Sequence, residues 1–218
     1  KDMVCYQEEV RDPSRMAEVL NRVIEKAFRG SAPAQINVPR DYWTQVIDIE
    51  IPPIVRFERQ GGGKDAIEKA SNLLSKAKFP VILSGAGVVI GGAIEECKKL
   101  AEKLDAPVCN GYQHNDSFPG SHPLAVGPLG YNGSKAAMEL ISRADVVLAL
   151  GTRLNPFSTL PGYGIDYWPK NATIIQVDMN PDRIGLTKKV TVGICGDAKQ
   201  VAQQILDKLS SDAGNTGR

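Results

Sequence analysis

The fold class can be read from residues 145–155, whose sequence is DVVLALGTRLN. The five residues Val146–Leu150 form an uninterrupted apolar run, and Gly151 follows immediately. A short run of this kind is typical of a strand that is buried on both faces, as in a parallel sheet covered by helices. We therefore expect a central strand here, with a turn at Gly151.

Similar apolar runs recur along the chain and alternate with helical patterns. Strands are predicted at residues 81–83, 107–109, 173–177 and 190–194, and the segments between them carry apolar residues at helical spacing, such as Ile67, Ala70 and Leu74. Strands that alternate with helices pair in parallel. The predicted fold is α/β, an open doubly wound parallel sheet with a helix and a strand added at its N-terminal side.

The first 45 residues predict a smaller unit of one helix and one strand. Asp12 is placed to cap a helix that begins at Pro13 and ends at Gly30, and residues 34–38 alternate as a strand does. One face of the helix carries Met16, Leu20, Val23 and Ala27. This unit is too small to bury that face. We therefore interpret residues 1–45 as the end of a domain whose main body lies upstream, consistent with a chain that begins at Lys1 instead of Met.

The rest of the chain divides by composition. Residues 46–63 contain Pro52-Pro53 and the run Gly61–Gly63, and they predict a linker with a flexible joint. Residues 64–210 form the sheet domain, with Asp197 predicted to cap its last helix. The small and polar residues 211–218 predict a disordered tail.

Composition excludes several classes of protein. Lys and Arg total 26 and Asp and Glu total 25, so no strong net charge draws the chain to nucleic acid or to an anionic membrane. No apolar run reaches the roughly 18 residues of a membrane span. The four cysteines lie far apart and only two histidines are present, which argues against a metal site. Buried thiols at Cys97, Cys109 and Cys195 and a reducing cytoplasm are expected.

Ligands of such sheets bind beyond the carboxyl ends of the strands, and three segments there contain candidate residues. Gly85-Ala86-Gly87 could form a phosphate-binding turn, or only a tight turn between strand and helix, because Ile90 stands where a third glycine would complete the dinucleotide fingerprint. Arg153 could bind an anion or pair with a surface carboxylate. Asp178 could bind a ribose hydroxyl, and nearby Asn180 is predicted to cap a turn at Pro181.

The fourth candidate is the long loop of residues 110–133. His114 and Asp116 could perform acid–base chemistry, although no nucleophile accompanies them. The alternative is that the loop only covers the end of the sheet. The loop also contains other polar and aromatic residues of interest, namely Tyr112, Gln113, Asn115, His122 and Tyr131.

Several segments together resemble one enzyme family. Gly85-Ala86-Gly87 after a strand, RADVVLALGTRLNPF (143–157), IIQVDMNPDRIG (174–185) and GDAKQVAQQIL (196–206) resemble the central domain of thiamine-diphosphate-dependent enzymes, such as acetolactate synthase, oxalyl-CoA decarboxylase and pyruvate oxidase. SAPAQINVPRDYW (31–43) resembles the end of their pyrimidine-binding domain. Residues 3–24 and 33–52 are most similar to a subfamily that converts sulfoacetaldehyde and phosphate to acetyl phosphate and sulfite.

The resemblance implies that thiamine diphosphate and Mg²⁺ act in the parent enzyme but bind outside this chain. The activating Glu of the family lies upstream, and its Gly-Asp-Gly…Asn metal motif lies in another domain; Gly196-Asp197-Ala198 lacks the second Gly and the Asn. No catalytic or metal-binding residue is therefore expected here. The implied partners are the remaining domains of the parent, a small-molecule substrate and other copies in a homo-oligomer, but neither nucleic acid nor a membrane.

Some relatives bind FAD or ADP in the central domain. The matching positions are Gly85, Ala86, Gly87, Arg153 and Asp178, and the resemblance implies a vestigial or weak nucleotide site. Asn155-Pro156 replaces the acidic pair of acetolactate synthases, which argues against FAD. The alternatives are a freestanding nucleotide-binding or electron-transfer module and the central domain of another enzyme such as acetolactate synthase; the incomplete glycine fingerprint disfavours a dehydrogenase.

Overall fold

The structure is a computed structural model that describes residues 3–53 and 58–209. The chain divides into two compact units, Lys1–Glu58 and Arg59–Arg218. The predicted disordered tail and residues 54–57 of the predicted linker lie outside the described residues. Among the helices of the described residues, none is long and apolar enough to cross a membrane.

The first unit is a small βαβ unit. Its strands are β1, Tyr6–Glu9, and β2, Ala34–Asn37, which pair in parallel with Tyr6 opposite Ala34. Helix α1, Met16–Gly30, connects them, and short 3₁₀ turns cover Pro13–Arg15 and Arg40–Thr44. The sequence analysis did not predict β1, because only Tyr6 among its residues YQEE is typical of strands.

The predicted helix start is confirmed, and the predicted apolar face of α1 is only partly covered within this unit. The carboxylate of Asp12 accepts the N–H of Ser14 at 2.9 Å, at the start of the 3₁₀ turn that precedes α1. Of that face Val23 is buried beside Val19 in the small core, whereas Leu20 is 43% exposed. Apolar residues therefore also occupy the outer side of α1, namely Leu20, Ile24 and Phe28.

The second unit confirms the predicted open, parallel, doubly wound sheet. Its six strands lie in the order β5-β4-β3-β6-β7-β8. The strands are β3 Pro80–Ser84, β4 Val108–Asn110, β5 Ala125–Pro128, β6 Val146–Leu150, β7 Thr173–Asp178 and β8 Val192–Cys195. The helices are α2 Lys64–Lys76, α3 Ala86–Ile90, α4 Ile94–Leu104, α5 Lys135–Ile141, α6 Pro156–Thr159 and α7 Ala198–Lys208, with short 3₁₀ turns at Asn115–Ser117 and Pro181–Arg183.

Strand β6 shows why its sequence is apolar throughout. Its residues Val146, Leu148 and Leu150 belong to the core cluster formed with α2, α4 and α7, whereas Val147 and Ala149 belong to the cluster formed with α5. Each position of the strand is therefore buried on one face or the other. Burying a side chain of this size stabilises the fold by about 1.5–3 kcal/mol.

The glycines at the start of the second unit have a packing role. The φ of Gly62 is +82°, and a Cβ there would lie 2.6 Å from Cγ2 of Ile194. The carbonyl of Gly61 accepts a hydrogen bond from Nε2 of Gln204 at 2.8 Å. These contacts hold Gly61 and Gly62 against β8 and α7, where the sequence analysis expected a flexible joint.

Candidate functional site

The candidate site lies at the carboxyl ends of two neighbouring strands, β3 and β6, from which the chain continues toward opposite edges of the sheet. Strands β3 and β6 are adjacent; from β3 the chain continues to β4 and β5 on one side, and from β6 to β7 and β8 on the other. This is the topological switch point of the sheet, at which open α/β sheets bind ligands. The predicted residues Gly85–Gly87 and Arg153 follow these two strands.

The glycines after β3 pack directly on the loop after β6. The N–H of Gly85 donates to the carbonyl of Leu150 at 3.1 Å, and the N–H of Gly87 donates to the carbonyl of Gly151 at 2.8 Å. A Cβ on Gly85 would lie 2.6 Å from Cβ of Thr152, and one on Gly87 would lie 2.7 Å from Cα of Gly151. The glycines thus permit the close approach of two loops, and two N–H groups that could bind phosphate are already hydrogen-bonded.

Ala86 and Arg153 lie beside this contact with different exposure. Ala86 is half-buried as the first residue of α3, whereas Arg153 is exposed. Leu154, with a φ of +52°, turns the chain so that its own side chain is buried. Within the part of the chain that the structure describes, Arg153 has no carboxylate within 4 Å. Its guanidinium is therefore available to an anion.

Asp178 ends β7, the strand next to β6, and its carboxylate stabilises a turn. Oδ1 accepts the N–H of Asn180 at 2.8 Å, and the side chain of Asn180 in turn accepts the N–H of Asp182 at 2.9 Å. The capping role predicted for Asn180 is confirmed. The structure therefore gives Asp178 a local hydrogen-bonding role, at the same edge of the sheet as Gly85 and Arg153.

Gln176 is a buried residue of this edge that the sequence analysis did not identify. Its Nε2 donates to the carbonyls of Thr152 and Arg183, each at 3.2 Å, and its Oε1 accepts the N–H of Gly185 at 2.9 Å. The loops after β6 and β7 are thereby joined. A single amide inside the otherwise apolar run of residues 174–177 was the available signal, because buried polar groups are nearly always hydrogen-bonded.

The long loop after β4 does not form an acid–base pair with a nucleophile. Nδ1 of His114 lies 3.8 Å from Oδ1 of Asp116, beyond hydrogen-bond distance, and both side chains are partly exposed. His122 lies elsewhere, with Nε2 3.2 Å from a carboxylate oxygen of Glu102. Asn110 instead ties the loop down, since its side chain donates to Oγ of Ser117 at 3.0 Å. These contacts support the covering role of the loop.

The described residues also form no group suited to bind a metal ion. No group of three or more His, Cys, Asp and Glu side chains there could hold an ion. The Asp197 carboxylate is fully used, because Oδ1 accepts the N–H groups of Lys199 and Gln200 and Oδ2 pairs with Arg59 at 2.8 Å. Asp197 thus caps α7, as predicted. It does not fit the metal of a thiamine diphosphate site.

The thiols of the sheet unit are mostly inaccessible. Cys97 and Cys109 are buried, as predicted, and desolvation raises the pKa of each thiol to about 12. Cys195 is only partly buried, and its thiol lies 3.5 Å from the carbonyl of Met179, so the prediction of full burial is wrong there. Neither buried thiol has the low pKa of a reactive nucleophile.

Three aromatic rings from separate segments, two loops and the short helix α6, meet at this edge. Tyr112 stacks on Phe157 with ring centroids 5.9 Å apart, and Tyr131 meets Tyr112 and Phe157 edge to face at 6.0 and 6.5 Å. We call these three residues the aromatic cluster. The sequence analysis named both tyrosines but missed Phe157, which lies in the short helix α6.

Comparison with known proteins identifies the family. Residues 67–205 match the family described as the central domain of thiamine pyrophosphate enzymes. The chain is 80% identical to a probable sulfoacetaldehyde acetyltransferase of Rhizobium meliloti and 76% identical to a sulfoacetaldehyde acetyltransferase of Roseovarius nubinhibens, each over the whole of this chain. It spans only 37% and 36% of the length of these two relatives.

The fold is also that of a solved enzyme structure. The chain superposes on benzoylformate decarboxylase from Polynucleobacter necessarius with a TM-score of 0.78, at 22% identity. The match covers 98% of this chain and 40% of that one. At this identity the likeness concerns the fold alone.

Proposed function

The chain belongs to the thiamine pyrophosphate enzymes, whose central domain it contains, and we propose that it is the middle of a sulfoacetaldehyde acetyltransferase. The full-length polypeptide would convert sulfoacetaldehyde and phosphate to acetyl phosphate and sulfite. The observation that carries this proposal is the overall identity of 80% and 76%, in alignments that cover the whole chain, to proteins of that name.

We assign the chain's parts accordingly. Residues 1–45 form the end of a pyrimidine-binding domain, 46–63 a linker and 64–210 the central domain. The first unit supports this assignment because its core cluster contains only three buried residues, Val10, Val19 and Val23. So small a core leaves apolar residues on α1 without cover, as expected of a piece of a larger domain.

Thiamine diphosphate, with Mg²⁺, supplies the carbon chemistry in this proposal, and residues outside the chain bind both. The full occupation of the Asp197 carboxylate by Arg59 and by backbone N–H groups supports this placement. This chain would contribute no catalytic residue. Its role would be to position the domains that hold the cofactor and the small-molecule substrate.

A nucleotide, if bound, would lie across Gly85, Ala86 and Gly87, with Arg153 on a phosphate and Asp178 nearby. We propose that this site is vestigial or weak. The hydrogen bonds from Gly85 and Gly87 to the neighbouring loop support weak binding, and so does Asn155, whose side chain accepts the N–H of Ser158 at 2.9 Å and caps α6. The absence of an acidic pair after Arg153 argues against FAD, and the same hydrogen bonds argue against tight binding of ADP.

We further propose a homo-oligomeric parent enzyme in the reducing cytoplasm. The four cysteines are all free thiols, and two of them are buried in the cores. Free thiols are typical of proteins that fold in a reducing compartment.

A substrate comparison on the full-length polypeptide tests the activity. The enzyme is incubated with thiamine diphosphate, Mg²⁺ and phosphate, and with either sulfoacetaldehyde or pyruvate. We expect sulfite and acetyl phosphate from sulfoacetaldehyde, and no acetolactate from pyruvate. Acetolactate without sulfite would assign the chain to an acetolactate synthase.

A further inference from the structure

Two large side chains of the aromatic cluster are exposed next to each other. Tyr131 is 53% and Phe157 57% exposed, while Tyr112 supports them from a half-buried position. Single exposed apolar residues are ordinary, but an exposed group of large ones marks an interaction site. The cluster is therefore a candidate surface for a partner.

The backbone around the cluster is fixed by specific contacts. The N–H of Tyr131 donates to the carbonyl of Phe157 at 2.8 Å, and the N–H of Tyr112 donates to Oγ of the buried Ser158 at 3.2 Å. Gly130 has a φ of +77°, and a Cβ there would collide with the Phe157 carbonyl. The rings are thus held in place before any partner arrives, which lowers the entropic cost of binding.

The surrounding sequence indicates an apolar partner. Charged residues make up 23% of the chain, yet residues 117–134 and 154–165, which supply Tyr131 and Phe157, contain no Asp, Glu, Lys or Arg. Loss of charge together with enrichment in aromatic residues distinguishes the centre of a protein interface.

The ring geometry also argues against a nucleobase. Each ring centroid lies 5.9–6.5 Å from the other two, which is the distance of direct ring contact. The cluster therefore has no slot into which a flat base could enter between two rings. It offers a closed aromatic surface on which another protein surface can pack.

We propose that the aromatic cluster is the surface on which another domain of the full-length polypeptide packs. The occupant follows from chain length, because the chain spans only about a third of its sulfoacetaldehyde acetyltransferase relatives and most of such a polypeptide lies outside it. The inference rests on the proposed function because it takes the full-length polypeptide to be as long as these relatives. The cluster would fix the position of that domain and take no part in the reaction.

Site-specific thiol labelling tests the proposal. Phe157→Cys is made in a Cys5→Ser background, because Cys5 is the exposed thiol of the described residues. Glu139→Cys on α5, whose side chain is 58% exposed, is the matched control. N-ethylmaleimide modification of each position is followed by mass spectrometry, in the 218-residue chain and in the full-length polypeptide. Hydroxyl-radical footprinting of Tyr131 and Phe157 in the unmodified proteins provides the same comparison without a variant.

In the 218-residue chain we expect both introduced thiols to react at similar rates. In the full-length polypeptide we expect the thiol at position 157 to react at least about tenfold more slowly than in the short chain, and the thiol at position 139 to react at the same rate in both. Equal rates at position 157 in the two proteins would overturn the proposal. So would protection in the short chain that grows with its concentration, which would assign the surface to a second copy, or protection that requires ADP.

Sulfite release is measured on the same full-length sample. Protection of position 157 in a polypeptide that releases no sulfite would contradict the proposed activity and support the interface. Sulfite release by a polypeptide whose position 157 reacts as fast as in the short chain would support the proposed activity and contradict the interface.

Discussion

Replacing Gly85 by Ala tests whether the loops at the switch point are a packing contact or a ligand site. The φ of Gly85 is −130°, which Ala also adopts, so the substitution introduces no backbone strain. The added Cβ would, however, lie 2.6 Å from Cβ of Thr152 and 2.7 Å from the carbonyl oxygen of Gly151. One of the two loops must therefore move.

The magnitude follows from three contributions. Overpacking a close contact costs about 1–3 kcal/mol. Displacing the loop also weakens the hydrogen bond from Gly85 to Leu150, which contributes about 1 kcal/mol. Ala recovers about 0.4–1 kcal/mol because it restricts the unfolded chain. The expected net loss is about 2 kcal/mol, or a melting temperature lowered by about 4–8 °C for a unit of this size.

Gly120→Ala is the matched control. A Cβ at Gly120 would meet no atom within 4 Å, and Gly120 does not have a positive φ. We expect this variant to be as stable as the original chain or slightly more stable. The same change of residue thus predicts opposite outcomes at two glycines of one domain.

Tryptophan fluorescence can report on the sheet unit alone. The chain has two tryptophans, and Trp43 lies in the first unit while Trp168 lies in the second. In a Trp43→Phe background, urea unfolding followed at Trp168 gives the stability of the sheet unit. Equal stability of Gly85→Ala and Gly120→Ala, together with a loss of ADP affinity in Gly85→Ala only, would refute the packing account and assign the loop to ligand binding.

Three further predictions concern other parts of the chain. Hydrogen bonds from Arg22 and Tyr6 lower the pKa of Glu8 from 4.5 to about 2, so this contribution to the stability of the first unit is present above pH 4.5 and lost as the pH falls through about 2. Arg22→Gln should reduce the acid dependence of unfolding followed by circular dichroism, and an unchanged dependence would place its origin elsewhere. Backbone amides of residues 14–28 should exchange with deuterium much faster than those of Val146–Leu150 in a dilute monomer, whereas equal protection would mean one cooperative core. If calorimetry detects ADP binding, Arg153→Ala should weaken it by about 1.5–3 kcal/mol; unchanged affinity would move the nucleotide away from this residue, and no binding at all would support a vestigial site.

The sequence predicted the centre of the sheet because burial leaves a local record. The uninterrupted apolar run Val146–Leu150 is required where a strand is covered on both faces, and this position allows few other residues. Asp12 and Asp197 were predictable for a similar reason, since a capping side chain lies next to the N–H groups that it accepts. Such short-range requirements can be recognised without knowledge of the fold.

The missed strands depend on distant partners. In β1, Glu8 occupies a partly buried position because Arg22, fourteen residues later, binds both of its carboxylate oxygens at 2.8 and 2.9 Å. In β5, Gly127 and Pro128 disfavour a strand, and the strand forms at the edge of the sheet by pairing with β4 across an irregular register. Neither pairing can be recognised in a local pattern.

The sequence predicted where the residues of the candidate site lie better than it predicted what those residues do. The rule for parallel sheets placed Gly85, Arg153 and Asp178 at one edge, and the structure has them there. Whether a glycine serves a ligand or a neighbouring loop depends on what its N–H meets, which only the tertiary structure shows. The aromatic cluster required the same information, because its three rings come from three separate segments that meet only in the tertiary structure.

We propose that this chain is a non-catalytic part of a sulfoacetaldehyde acetyltransferase. Phosphate-dependent sulfite release tests it most directly, measured on the purified 218-residue chain and on the full-length polypeptide at equal concentration, with thiamine diphosphate and Mg²⁺ present. The account predicts sulfite from the full-length polypeptide and none above the blank from the chain. Sulfite release by the chain alone, or none by a folded full-length polypeptide, would contradict it.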